Sequence, residues 1–390
     1  MNLSKSFIEH GITEFEGAKQ YLTSIGLDVK DTPKDPNLNS LFIVNNNNNL
    51  DTLIARECNG LILKKSDLSI VYYSFPKSLD LGHNISEEID TSTLLFEHSL
   101  DATRIGLFWY NNKWNICTKK CMNALFSKWS SSKSFGELFI ESVTDYQNFL
   151  LTLNSECCYT FLLNHPEIIS VSNSESSAVY NISIRNMNSL EEIDDRLQPY
   201  FNIKTLNRIP VSQDNIPQLM DSIKMCADPS FQGYILIDAS LNRHKIFTTT
   251  YIRARELLGN SNNLFFRFLQ LRKTPEELTE YVKYFKKHLS LFLEYENKLE
   301  YLAINIFDVY CTKHIKKSLD VIPQYLKTII YKIHGKFLET HVKTTVDTVR
   351  VYLLEIDEPI ICKIFNDIEK EKICEALSLQ IASGLEAMDI

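Results

Sequence analysis

The stretch Glu97-His98-Ser99-Leu100-Asp101-Ala102-Thr103-Arg104 lies between two apolar runs, residues 93–96 and residues 105–110. Short apolar runs that are bounded by polar and turn-forming residues are typical of β-strands. The sequence therefore predicts two strands in a hairpin-like pair, with this stretch as the turn between them.

The residues around this stretch predict an α+β fold. Short β-type runs continue from residue 53 to residue 252, and turn residues such as Asn111-Asn112 separate them. They predict a core with a mainly antiparallel sheet. A short amphipathic helix over residues 4–26 is expected to precede this core.

A helical pattern begins after Tyr251 and continues through the rest of the chain. The segment Thr274-Pro275-Glu276-Glu277 has an N-cap residue, a proline at the first helical position and early acidic residues, which together indicate a helix start. We therefore predict two domains, an α+β domain over residues 1–260 and an all-helical C-terminal domain over residues 261–390.

Composition limits the possible classes of protein. The chain has 390 residues, of which 44% are hydrophobic, and it has no apolar segment long enough to span a membrane. Glu9, Glu14 and Glu16 interrupt the region where a signal peptide needs an apolar run. Nine cysteines, an odd number without zinc-ligand spacing, predict reduced thiols and no metal site. We expect an intracellular protein of the cytoplasm or nucleus that does not bind membranes.

Charge is distributed unevenly along the chain. The net charge is −8, yet residues 261–350 contain 15 Lys or Arg against 10 Asp or Glu. Such a basic block suits contact with a phosphate backbone, and it equally suits an ordinary solvated helical surface.

Several segments of residues 53–257 resemble, in order and spacing, the nucleotidyltransferase domain of phage-type ATP-dependent RNA ligases, the tRNA-repair RNA ligase 1 family. In that family the central stretch carries the Lys-x-Asp-Gly-Ser attachment motif. The resemblance implies the covalent nucleotidyltransferase (ligase) fold and a viral origin. The other segments that carry it are Ala55-Arg56-Glu57-Cys58-Asn59-Gly60, Phe75-Pro76-Lys77, Tyr159-Thr160-Phe161, His165-Pro166-Glu167, Phe231-Gln232-Gly233-Tyr234 and Lys245-Ile246-Phe247-Thr248.

The resemblance also implies that the reacting groups are missing. Ser99 stands at the position of the attacking lysine, while Asp101 keeps its place beside it. A serine alcohol is a poor substitute, because it has a pKa far above neutrality and its AMP ester lacks the protonatable P–N bond of lysine-AMP. Leu162 and Gln232 replace carboxylates that face magnesium or ribose, and Phe247 replaces a lysine that contacts phosphate. We expect no catalytic residue in this degenerate site.

Four cations remain where the family gathers the triphosphate, namely Arg56, Lys77, Lys119 and Lys245. They predict a phosphate or nucleotide site of weak affinity. The alternative interpretation is that these side chains form surface salt bridges. No cofactor is required by this hypothesis, and ATP with magnesium enters only if the site retains some activity.

Two hypotheses for function follow. The first is a pseudoenzyme that serves as an RNA-binding or structural subunit of an assembly for RNA repair, capping or transcription, with RNA or another protein as its partner. The second is an RNA ligase or nucleotidyltransferase with an altered active site, active alone or with a partner. For the first, lysines of the helical domain are the predicted RNA contacts, because helical spacing would group Lys283 with Lys286 and Lys287, and Lys313 with Lys316 and Lys317.

Overall fold

The computed structural model describes residues 1–48, 50–81, 94–172, 174–193, 197, 200–239, 241–319 and 321–386. The chain divides into two compact units, Met1–Glu256 and Leu257–Ile390. Among the described residues, the strands of the first unit form three sheets. The second unit is helical.

The first sheet packs on the N-terminal helices. Alternate side chains of its second strand point to opposite faces, so Phe42 and Val44 contact these helices while Leu41 and Ile43 face a strand pair of the next sheet. The predicted single helix over residues 4–26 is two helices, because Gly11 has a positive φ of 62° and turns the chain. The elements are α1 (Asn2–Glu9), α2 (Phe15–Ser24), β1 (Asp28–Lys30), β2 (Leu41–Asn45), α3 (Leu53–Glu57), β3 (Asn59–Lys64) and β4 (Ile70–Tyr72).

The second sheet has the strand order β11-β10-β9-β7-β8, with β12 parallel to β10 and the other pairs antiparallel. Two helices cover one face, where Phe139, Phe149 and Phe161 form the centre of a buried cluster. Its strands are β7 (Thr103–Tyr110), β8 (Lys113–Thr118), β9 (Cys157–Asn164), β10 (Ala178–Asn186), β11 (Glu192–Ile193) and β12 (Ile203–Thr205), and the helices are α4 (Phe135–Ser142) and α5 (Tyr146–Leu151).

The third sheet has the order β13-β6-β14-β15-β5, and one helix packs on it through Met220 and Ile223. Its strands are β5 (Leu79–Asp80), β6 (Leu94–His98), β13 (Ile209–Val211), β14 (Gly233–Ile237) and β15 (Arg243–Phe247), and the helices of this region are α6 (Ile216–Lys224) and α7 (Thr249–Leu258).

The predicted hairpin at the central stretch is wrong. Its two strands exist, but β6 pairs with β13 and β14, whereas β7 pairs with β8 and β9 in the other sheet. Residues 99–102 therefore connect two sheets and do not form a hairpin turn. The first residue of the apolar run, Thr93, lies outside the described residues.

The second unit contains six helices among its described residues. The helix start predicted at Thr274 and Pro275 is confirmed. The helix ends at Tyr284, however, and a short 3-10 helix (Lys286–His288) follows before the next one. The helices are α8 (Leu264–Leu271), α9 (Pro275–Tyr284), α10 (Leu289–Tyr310), α11 (Gln324–Thr340), α12 (Val346–Glu355) and α13 (Glu358–Glu386), with a π-helix (Cys311–Ile315) after α10.

The predicted fold class is confirmed: the chain is α+β with mainly antiparallel sheets, followed by a helical C-terminal region. Within the Ala55–Gly60 segment, Glu57 has a structural role. Its buried carboxylate accepts hydrogen bonds from the backbone N–H groups of Asn2 and Leu3, at 2.9 Å each, and from the Asn2 side chain at 2.8 Å. It thereby satisfies the unpaired donors at the start of α1.

Replacing Glu57 by alanine should lower the free energy of unfolding of the first unit by about 2 kcal/mol, because it leaves buried donors without a charged acceptor. Urea denaturation followed by circular dichroism measures this change. Glu9→Ala, an exposed substitution at the other end of α1, is the matched control and should shift stability by less than about 0.5 kcal/mol. Equal midpoints for the two variants would refute the capping role.

Candidate functional site

A cavity of about 450 Å³ lies where the second and third sheets meet, and the central stretch forms part of its wall. All five positions predicted to form the degenerate site line it, namely Ser99, Asp101, Leu162, Gln232 and Phe247. Residues 99–102 reach it because they leave the end of β6 and cross to β7. Segments that are far apart in the sequence thus converge on one concave surface, as the resemblance implied.

Hydrogen bonds connect several of these positions. The Ser99 Oγ donates to Gln232 Oε1 at 2.6 Å, and Gln232 Nε2 donates to the Tyr251 hydroxyl at 2.9 Å. Tyr251 in turn donates to Asp101, and burial together with this negative charge raises the pKa of Tyr251. Asp101 also accepts from the backbone N–H of Val171, at 2.7 Å from Oδ2. Each polar side chain of this network has a partner, so it is a stable arrangement without an ionised nucleophile.

The donor set does not fit a magnesium ion, which prefers several carboxylate and water oxygens at octahedral positions. Leu162 offers no ligand atom, and Gln232 is hydrogen-bonded to Ser99 and Tyr251. Of the two carboxylates among the described lining residues, Glu97 is ion-paired with Arg208 at 3.3 Å. Within the described part of the chain, no group of three His, Cys, Asp or Glu side chains is arranged to hold a metal.

Three of the four predicted phosphate contacts line the cavity, namely Lys77, Lys119 and Lys245. Arg56 does not line it. Its Nε instead donates to the Lys77 backbone carbonyl at 3.3 Å, and the Lys77 N–H donates back to the Arg56 carbonyl at 2.7 Å. Arg56 therefore holds the Phe75-Pro76-Lys77 segment in place, and its direct contact with a ligand is not supported by this geometry.

The cavity gathers positive charge. Burial, with the charges of Arg104, Lys245 and Lys77, lowers the pKa of Lys119 to about 8. Burial and the charges of Arg255 and Arg104 likewise lower the pKa of Lys245. The negative charge of Asp80 acts in the opposite direction on Lys245, but the lowering effects are larger. An anion in the cavity would relieve this repulsion, so the electrostatics favour a phosphate group.

Sequence reasoning missed three arginines of the lining, Arg104, Arg243 and Arg255. Arg104 ends the central stretch, and its Nη1 donates to Ser74 Oγ at 3.1 Å. Arg255 follows Tyr251 by four residues in α7, and that spacing places both side chains on one helix face. The sequence alone could therefore have indicated that Arg255 lies near the cavity. Arg243 had no sequence signal, because its position depends on tertiary ion pairs.

Those ion pairs fix one wall of the cavity. Glu192 accepts from Arg243 at 2.6 Å and 3.0 Å and from Arg185 at 3.3 Å. Arg243 so placed lies over the Phe75 ring, 4.2 Å from its centroid. Arg104 lies 5.7 Å from the same centroid. Phe75 of the Phe-Pro-Lys segment thus contacts two of the cavity's cations through its ring.

Of the lysines predicted to bind RNA, Lys286, Lys287, Lys316 and Lys317 are exposed and Lys313 is half-buried, and they do not form two regular helical faces. Lys286 and Lys287 lie in the 3-10 helix, separated from Lys283 by the buried Phe285. Lys316 and Lys317 follow the π-helix, and Lys317 has a positive φ of 54°. The assumption of unbroken α-helices was therefore wrong, while RNA binding by these side chains stays a prediction.

ATP affinity should fall about fivefold between pH 7.5 and pH 9, because Lys119 is protonated below its pKa of about 8 and neutral above it. The phosphates gain little charge in this range, since phosphate monoesters ionise a second time near pH 6. Isothermal titration calorimetry without magnesium measures the change. Lys119→Met should bind more weakly with a flatter pH profile, whereas Lys113→Met, an exposed position outside the cavity lining, should behave as wild type. An unchanged slope in Lys119→Met would contradict the assignment.

Comparison with known proteins gives distant similarity. No family model matches the chain. An immediate-early protein ICP-46 homolog of invertebrate iridescent virus 3 is 26% identical over 234 residues, covering 57% of this chain and 50% of the relative. The chain thus matches about half the length of that protein. The homolog of the same name from invertebrate iridescent virus 6 is 20% identical over 370 residues, covering 83% of this chain and 78% of the relative.

The solved structures similar to this chain include ATP-dependent ligases. A putative ATP-dependent DNA ligase from Aquifex aeolicus has a TM-score of 0.42 at 13% identity and covers 82% of this chain and 87% of its own. An archaeal ATP-dependent RNA ligase has a TM-score of 0.41 at 11% identity, and the match covers 71% of this chain and 77% of the ligase.

Among the described residues, no helix has the length and apolar character needed to cross a membrane.

Proposed function

We propose that the first unit is a ligase-type nucleotidyltransferase scaffold that binds a nucleotide or polyphosphate without transferring it. The observation that carries this proposal is the neutral hydrogen-bond chain Ser99–Gln232–Tyr251 inside a cavity lined by lysines and arginines. The cavity keeps the charge that attracts phosphate and lacks the groups that react with it.

The chemistry of nucleotidyl transfer requires groups that are absent together. A lysine amine attacks the α-phosphate, and its P–N bond is later broken after protonation of the nitrogen. The Ser99 hydroxyl donates to an amide oxygen, which is too weak a base to remove its proton. Phe247 packs against Tyr251 at 5.7 Å between ring centroids and supplies no charge to a phosphate. When several groups act together in catalysis, the loss of one group removes most of the rate that the whole set provides.

The whole chain is proposed to act as an RNA-binding or structural subunit of a nucleic-acid assembly. The exposed Lys286, Lys287, Lys316 and Lys317 support RNA binding by the second unit, as does its basic block. Both relatives with the ICP-46 name are proteins of iridescent viruses, which supports a viral origin.

One observation favours a second candidate, an enzyme with an altered active site. Lys119 lies in the same cavity as Asp101, and a lysine pKa of about 8 leaves a sizeable neutral amine fraction near physiological pH. Neighbouring cations activate lysine nucleophiles in this way. A covalent AMP adduct that is lost in Lys119→Arg would establish this candidate in place of the first.

Wild-type protein incubated with α-³²P-ATP and magnesium should show no labelled band after denaturing electrophoresis, and Ser99→Lys should show none either. The reason is that Leu162, Gln232 and Phe247 remain unsuitable after the nucleophile is returned.

The fourfold variant Ser99→Lys, Leu162→Glu, Gln232→Glu, Phe247→Lys is the informative companion, because it returns the charged groups together and should gain label if the scaffold is a ligase. A labelled wild-type band would overturn the non-catalytic proposal.

Replacing Lys286, Lys287, Lys316 and Lys317 by glutamate should weaken binding to a structured RNA at least tenfold, by an order-of-magnitude estimate from counterion release. Fluorescence anisotropy over a range of salt concentrations measures affinity and its salt slope. The charge-matched control replaces four exposed lysines of the first unit with glutamate, namely Lys5, Lys34, Lys113 and Lys224. Lys286, Lys287, Lys316 and Lys317 are called the lysine surface below. If both variants lose affinity equally, the net charge of the protein determines RNA binding, and the lysine surface is not the RNA site.

A further inference from the structure

The second unit contains its own cavity, of about 710 Å³. Helices α8, α10, α11 and α13 contribute to its walls. The cavity is within the size range of small-ligand sites. Its described lining is rich in two kinds of side chain: five aromatic rings, those of Phe265, Tyr295, Tyr301, Tyr325 and Phe365, and four asparagine amides, those of Asn263, Asn297, Asn305 and Asn366.

The aromatic rings form a supported wall. Phe265 contacts Tyr295 and Phe365 edge to face, with centroid distances of 4.9 Å and 5.2 Å. Lys298 lies over the Tyr295 ring at 5.8 Å. These contacts fix the inner rings, whereas Tyr301 is 72% exposed. Tyr301 therefore presents a ring that a planar ligand can stack against.

Amides flank this exposed ring at helical spacing. Asn297, Tyr301 and Asn305 follow one another at intervals of four residues in α10, so they lie about one turn apart along one side of the helix. Asn263 already caps α8 by accepting from the N–H groups of Phe265 and Phe266. Asn297 and Asn305 have no hydrogen-bond partner among the side chains that the structure describes, so their donors and acceptors can serve a ligand in the cavity.

The charges of the lining balance. Lys298 and Lys372 stand against Glu369 and Glu371 among the described lining residues. A site of this kind does not select a phosphate by charge. Aromatic faces with amide groups beside them suit a neutral, planar ligand that has hydrogen-bond donors and acceptors on its edge, which describes a nucleobase.

We infer that this cavity binds an unstacked nucleobase, with Tyr301 as the stacking platform and Asn297 and Asn305 as partners for the base edge. The inference rests on the proposed RNA binding of the second unit and adds to it a base-reading site separate from the lysine surface. The base comes either from a single-stranded RNA or from a free nucleoside, and the two sources differ in whether neighbouring phosphates are needed.

The test compares full-length protein and variants in binding a fluorescent decaadenylate RNA, an abasic decamer of the same length, and adenosine. Adenosine lacks phosphate, so the cationic cavity of the first unit has no charge with which to attract it. We expect wild type to bind decaadenylate about tenfold tighter than the abasic decamer, within the range for stacking of a base on an aromatic ring. Tyr301→Ala should lose this preference, and Tyr331→Ala, an exposed tyrosine of α11 outside the cavity lining, should keep it.

The outcomes separate the two proposals. A preference for decaadenylate that survives the fourfold lysine-to-glutamate change but disappears in Tyr301→Ala supports the base site even if the lysine surface is refuted. Adenosine binding that depends on Tyr301 also supports it and identifies the free nucleoside as a source. Equal binding of decaadenylate and the abasic decamer, together with Tyr301-independent or absent adenosine binding, overturns the inference. In that case any RNA contact is made through phosphates alone.

Discussion

The close approach of β14 to β15 at Gly233 is the constraint on which the cavity depends. Gly233 has a φ of 130°, and a Cβ at this position would lie 2.0 Å from the carbonyl oxygen of Ile246. Only glycine allows this approach. The Gly233 carbonyl then accepts from the Ser99 N–H at 2.9 Å, and the adjacent Gln232 reaches the Ser99 hydroxyl. The backbone at Gly233 thus sets the distance between Ser99 and Gln232.

Electrostatic repulsion is the second organising feature of the first unit. Arginines that are needed for structure, such as Arg243, are neutralised by Glu192, with which they form buried ion pairs. Lys119 and Lys245 differ from these arginines. Burial and neighbouring cations lower the pKa of both lysine amines. Holding like charges together costs folding free energy, and a bound anion offsets that cost. This repulsion is the feature of the cavity that favours the proposed phosphate ligand.

The sequence predicted the strands and the convergence of Lys77, Lys119 and Lys245, because motif order and spacing reflect a shared chain path. It did not predict which strands pair. Alternating hydrophobicity shows that β6 and β7 are strands, but it carries no information about their partners, so the inferred hairpin was wrong. The predicted lysine faces failed for a similar reason, since a tertiary contact that buries Phe285 overrides helical periodicity. Arg56 lies outside the described cavity lining, because it holds the backbone of Lys77, and a tertiary contact of this kind has no signal in the sequence.

The hydrogen bonding of Ser99 stabilises the cavity. Random loss of a buried lysine and a buried carboxylate leaves polar atoms without partners, and each such atom costs about 1–3 kcal/mol. Here Ser99, Gln232 and Tyr251 satisfy one another, with Ser99 Oγ at 2.6 Å from Gln232 Oε1. Mutual fit of this kind keeps the polar groups of the cavity paired, which supports the proposed site that holds a ligand without reacting with it.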